Sequence, residues 1–103
     1  MLALRRGVIL SLEPGIVLHS LPDQQSFYAF SAVTGDQYRL NRTSFWVLET
    51  ISDGIEWFKL RNDFLSTFEV SRKEGEIDLR KLIIKFHRQG IIRRQDNAKE
   101  DSV

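Results

Sequence analysis

The sequence contains no cysteine. That absence removes disulfides, thiolate nucleophiles and the commoner zinc sites together, and it fits a reducing compartment, so the expected location is cytoplasmic. Histidine is nearly absent as well. His19 and His87 fall in different elements, and neither has a Glu or Asp at a metal-motif spacing such as H-E-x-x-H. The six glycines are scattered through turns, without the G-x-G-x-x-G or G-x-x-x-x-G-K runs that cradle phosphate. No nucleophile with a base and no paired acid and base leaves a recognisable spacing. The chain is therefore read as non-enzymatic, with no catalytic residue, no metal and no cofactor.

Long hydrophobic runs are missing too. Nothing approaches the roughly 18 consecutive apolar residues of a spanning helix, which argues against a membrane role. Met1 to Leu12 carries Arg5 and Arg6 ahead of an apolar run, but Glu13 and Pro14 cut it short of a secretory segment, and it reads as mature protein. Charge of one sign is also lacking: fifteen basic residues face fourteen acidic ones, for a formal net charge of +1. Broad electrostatic attraction to nucleic acid or an anionic membrane does not follow from that balance, and any basic patch has to be local. What is present is ordinary globular material, 42% hydrophobic and 28% charged in 103 residues. This is enough for one core and one domain.

The first forty residues are strand-like and the next fifty helix-like, a segregation that predicts an α+β fold. Val8-Ile9-Leu10 and Ile16-Val17-Leu18 flank the turn signal Glu13-Pro14-Gly15, and at least one should be a strand. Phe27 to Phe30 and Gln37 to Leu40 flank a segment in which Gly35 can supply the positive φ of a bulged hairpin. Asn41 or Thr43 then caps a helix with Val47, Leu48 and Ile51 inward, ended by Ser52-Asp53-Gly54. The sequon Asn41-Arg42-Thr43 is discounted in favour of that capping. Asp53 with Glu56 reads as a capping box for a second helix with Trp57, Leu60, Phe64 and Phe68 on its core stripe. Lys73-Glu74-Gly75 is expected to break the chain before a third helix that buries Leu79, Leu82, Ile83 and Phe86 and ends at Gly90. Glu74, Glu76 and Asp78 then complement that helix's N-terminal dipole. Residues 1–94 are expected to form the domain, and the segment from Arg93, above all 95–103, a frayed charged tail.

The order and spacing of these features resemble the pyrroloquinoline-quinone biosynthesis protein D family, whose relatives are called RiPP recognition elements. The residues that carry the resemblance are the glycine hairpin followed by Tyr38, Leu40-Asn41-x-Thr43, Leu48, Asp53-Gly54, and the run Asp78-Leu79, Leu82-Ile83, Phe86, Gly90-Ile91-Ile92. It spans roughly residues 7–92 by the usual placing of element boundaries. The chain departs from the family pattern at Glu56, where a threonine is usual near the Asp-Gly turn, and in the bulky Phe45 and Trp46. The resemblance implies a winged-helix-like fold, a three-stranded antiparallel sheet followed by three helices, with a cleft between the third strand and third helix. It further implies a peptide chaperone. The leader of a ribosomally made precursor peptide adds to the sheet as an extra strand and is presented to a tailoring enzyme, often a radical S-adenosylmethionine enzyme.

Strand addition needs an unpaired edge, which Gln37, Tyr38, Arg39 and Leu40 would supply. Arg39 is either a peptide contact or a guard against unwanted pairing. On a helical wheel Ile77 and Ile84 lie opposite the core stripe of the third helix, among Arg80, Lys81, Lys85, His87 and Arg88. Arg80, Lys81, Ile84, Lys85 and Arg88 are accordingly the candidate peptide-binding residues of that helix, suited to an acidic, apolar-spotted peptide. The alternative is a solvated face with a scattered hydrophobe. Trp46 points away from its helix's core stripe and is expected to cover the sheet rather than to meet an enzyme or a second copy. Two other functions stay open. One is winged-helix nucleic-acid binding through the basic third helix, against which net charge argues. The other is a structural subunit in which Ile77, Ile84 and Trp46 form a homodimer or hold an enzyme.

Overall fold

A computed structural model describes residues 2–21, 23 and 25–96. Its elements run β1 (Val8–Leu12), β2 (Ile16–Leu21), β3 (Ser26–Ser31), β4 (Gln37–Leu40), α1 (Arg42–Ile51), β5 (Ile55–Glu56), α2 (Trp57–Phe68), α3 (Arg72–Arg88) and β6 (Ile92–Asp96). The fold is α+β, with the three-stranded antiparallel sheet β2-β3-β4 followed by three helices. Both early apolar runs are strands, but β1 leaves the main sheet. It pairs antiparallel with β5 on one side and β6 on the other, making a second three-stranded sheet.

Local chemistry explains most of these boundaries. Gly35 takes φ +82, and its N–H donates to the Ser31 carbonyl at 2.8 Å, closing the β3–β4 turn in a conformation few other residues adopt. The Asn41 side chain accepts the Ser44 N–H at 2.8 Å and caps α1. At the far end of α3 the Ile91 N–H donates to the Phe86 carbonyl and the Gly90 N–H to the His87 carbonyl. With Gly90 at φ +73 this is a Schellman stop. Val8, Leu10, Val47, Leu48, Ile51, Trp57, Leu60, Leu79 and Ile83 lose all solvent exposure in the core between the helices and β1. The inner face of the main sheet adds Ile16, Leu18, Ala29, Tyr38 and Leu40.

Five expectations need correction. The cap of α2 is Glu56 itself, not Asp53: its carboxylate accepts the Lys59 N–H at 3.3 Å and the Gly7 N–H at 3.0 Å. Burial works against its charge, but the N–H groups of Gly7, Phe58 and Lys59 and the nearby Arg6 guanidinium outweigh it and hold the carboxyl below its ordinary range. The segment Lys73-Glu74-Gly75 does not break the chain. Ser71 caps α3, which runs straight through Gly75, where a Cβ would fall against Leu65 and within 2.5 Å of Val70 Cγ2. Glycine there serves close α2–α3 packing. Only Glu74 then occupies the first turn of α3, and Glu76 instead pairs with Arg61 and Arg80. Trp46 does not cover the sheet, because α1 packs on α2 and sets its indole against Phe64 and Phe68, with ring centroids 6.1 and 5.2 Å away. Finally, Arg93 to Asp96 are not frayed. They pair with β1 from Ser11 to Val8, and Asp96 bonds Arg5 and lies 3.8 Å from Arg94. The rest of the expected tail, 97–103, lies outside the described residues.

Candidate functional site

Strand β4 is an edge. It pairs with β3 through Phe27↔Leu40, Tyr28↔Arg39, Ala29↔Tyr38 and Phe30↔Gln37, and no strand among the described residues lies on its other side. The pleat turns Tyr38 and Leu40 inward, half-buried, and leaves Gln37 and Arg39 exposed. Arg39 forms no ion pair among the described residues. Tyr38 reaches from the strand to the end of α3, where its hydroxyl donates to the Gln89 carbonyl at 3.3 Å. That bond ties the strand to the C-terminal end of α3.

Beyond Leu40 a cavity of about 550 Å³ lies between the start of α1, the end of α2 and one flank of α3. Its floor is apolar, from Phe64, Phe68, Val70 and Leu82, and its rim carries Asn41, Thr43, Asp78, Lys81 and Lys85. Asp78, Lys81, Leu82 and Lys85 share a flank because they stand three and four residues apart on the helix. No ion pair ties Lys81 or Lys85 to another described residue. A second depression of about 470 Å³ adjoins it at Asn41 and runs past Leu40, Arg39 and Arg42, with the Arg42 guanidinium 5.5 Å over the Phe27 ring. The ensemble is an unpaired strand edge, one apolar hole and four cations. It can hold an extended segment by its main chain, seat a large apolar side chain and answer carboxylates.

From the expected set, Lys81 and Lys85 line the cavity, Arg39 and Leu40 line the depression that meets it at Asn41, and Gln37 and Tyr38 lie further along the same strand. The structure separates the other three. Arg80 is occupied on another flank, donating to Glu76 at 3.1 Å and to the Leu4 carbonyl at 3.4 Å, with its guanidinium 5.0 Å over the Trp57 ring. Ile84 and Arg88 line a different hollow, of about 440 Å³, with Leu2 and His87. Ile84 is half-buried there rather than presented beside β4.

Sequence reasoning missed Arg42, Phe64, Phe68, Val70, Asp78 and Leu82 as lining residues. The apolar ones carry no separate signal, since a core stripe and the floor of a hole show the same periodicity. Asp78 was legible only as a dipole charge. Among the described residues no group of three or more His, Asp and Glu is placed to hold a metal, and no helix is long and apolar enough to cross a membrane.

Comparison with protein-family models and with curated proteins gives no match. Among solved structures the fold is similar to that of a protein described as lasso peptide synthetase B1 complexed with the leader peptide. The TM-score is 0.68 at 20% identity, over 82% of this chain and 96% of that one. At that identity the likeness establishes a shared fold.

Proposed function

We propose that this protein is a non-catalytic recognition module of the RiPP recognition element kind, which binds the leader of a ribosomally made precursor peptide and presents it to a modifying enzyme. The observation that carries this reading is the unpaired edge of β4 beside a cavity with an apolar floor and a rim bearing Lys81 and Lys85. The fold it shares with a lasso peptide synthetase B1 solved with the leader peptide supports the same reading, as do the motifs that resemble the pyrroloquinoline-quinone biosynthesis protein D family.

Magnitudes divide the labour within such a site. A four-residue edge offers only a few main-chain bonds, each worth about 1 kcal/mol net. Association costs roughly 4–15 kcal/mol in lost freedom before any surplus shows. The edge therefore sets direction and register. Affinity has to come from an apolar side chain buried in the cavity, at about 25 cal/mol per Å², and from carboxylates near Lys81, Lys85, Arg39 and Arg42. The nucleic-acid alternative has less support, because the basic residues of α3 are spread over separate flanks and Arg80 is engaged with Glu76.

The test is a fluorescence-anisotropy titration with a labelled leader peptide encoded beside the gene. Saturable binding that a scrambled leader does not reproduce is the expected result. Equal binding of both peptides, or of neither, contradicts the proposal.

A further inference from the structure

Apart from Gln37 and Arg39 at its rim, the outer face of the main sheet is not used by the site above. Strand pairing turns Val17, His19 and Leu21 of β2 to the same side as Phe30, Tyr28 and Ser26 of β3 and Gln37 and Arg39 of β4. On this face Val17 is 53% exposed, Phe30 40% and Leu21 37%, while Val33 at the adjoining turn is 77% exposed. Val17 and Phe30 are direct register partners. Single exposed hydrophobes need no explanation, but a contiguous set on one sheet face is what an interaction surface looks like. The opposite side of the same strands packs normally into the core.

Charge narrows the occupant. The outward positions of β2, β3 and β4 hold Arg39 and His19 and no acidic residue. A second copy of this chain, apposed face to face, would bring Arg39 to strands that hold no carboxylate at their outward positions. A different protein with an apolar, carboxylate-bearing surface fits. Position narrows it further, because Gln37 and Arg39 belong both to this face and to the open edge. A guest strand beside β4 would continue the sheet, so every second side chain of the guest would emerge on this face next to them.

We propose that the outer face, centred on Val17, Tyr28 and Phe30, is the docking surface for the enzyme that acts on the bound peptide. That enzyme touches the sheet and the guest strand together and so distinguishes the loaded module from the empty one. The proposal rests on the peptide-binding reading and adds the second partner's place.

The experiment uses the full chain, its labelled leader peptide and the modifying enzyme encoded beside it, with Phe30→Asp and Val17→Asp as variants checked for native melting. Each variant is expected to leave leader affinity within about twofold and to weaken enzyme binding by about tenfold or more, with wild type binding the enzyme more tightly when loaded than when empty. Unchanged enzyme binding in both variants overturns the proposal. So does a wild-type dimer that Phe30→Asp dissociates, which assigns the face to self-association, or binding to anionic vesicles that Phe30→Asp abolishes while enzyme binding persists. If wild type binds no leader but the variants still lose the enzyme, the peptide reading fails and the docking surface stands.

Discussion

The Tyr38 hydroxyl donates to the Gln89 carbonyl at 3.3 Å, linking an edge strand to the end of a helix fifty-one residues later. The bond ties β4 to the C-terminal end of α3, and the cavity on α3 begins past the other end of the strand, at Asn41. Tyr38→Phe removes the donor and keeps the ring. A stability loss of about 1 kcal/mol is expected in a denaturant melt, the usual net value of one such bond. No loss would mean that core packing alone holds the strand in place.

Lys81 and Lys85 share the rim of the cavity, while Arg80, Ile84 and Arg88 do not. Replacing both lysines by glutamate should weaken leader binding by about tenfold, at roughly 0.7 kcal/mol for each partly exposed charge. The difference should shrink as salt rises. Ile84→Asp should leave leader affinity unchanged. An equal effect of the two changes, measured by titration calorimetry, would place the peptide on the wrong flank of α3.

Gly75 sits inside α3 where a Cβ would meet Leu65 and Val70. Helix propensity alone favours alanine over glycine by about 1 kcal/mol. Overpacking costs roughly 1–3 kcal/mol, and Val70 is too stiff a side chain to yield freely. Gly75→Ala should therefore lower the melting temperature, and a rise would show that the α2–α3 contact is loose.

Glu56 caps α2 and also receives the Gly7 N–H, and these bonds, with Arg6, hold its carboxyl below the ordinary value of 4.5. A depressed carboxyl stabilises the fold fully above the unfolded-state value, and the contribution is lost as pH falls through the lower folded value. Glu56→Ala should cost about 1 kcal/mol near neutral pH. The gap to wild type should close on acidification below pH 4.5. A gap independent of pH would assign the loss to packing.

Much of this was legible in the sequence because the signals were local. Gly35, Asn41 and Gly90 announce a turn, a cap and a stop through their own backbone and side-chain chemistry, and each does so in the structure. The errors arose where a distant segment decides. Gly75 reads as a breaker until α2 packs against it. Arg93 to Asp96 lack apolar alternation because β6 buries only Ile92 fully and is held by main-chain pairing with β1, more than eighty residues earlier. Arg80 and Lys81 are neighbours in sequence, yet one is paired with Glu76 and the other faces the cavity. One helical step separates the two flanks, and only the placing of β4 says which of them matters.

The central claim is that a guest segment pairs with the free side of β4. The most direct measurement follows the backbone amide resonances of isotope-labelled protein as the leader peptide is added. Large shifts and slowed hydrogen exchange should appear along 37–40, with smaller shifts at Lys81, Leu82 and Lys85, while β6 stays unchanged. Saturable binding that leaves 37–40 silent and moves β6 or the Ile84 flank instead would contradict the account.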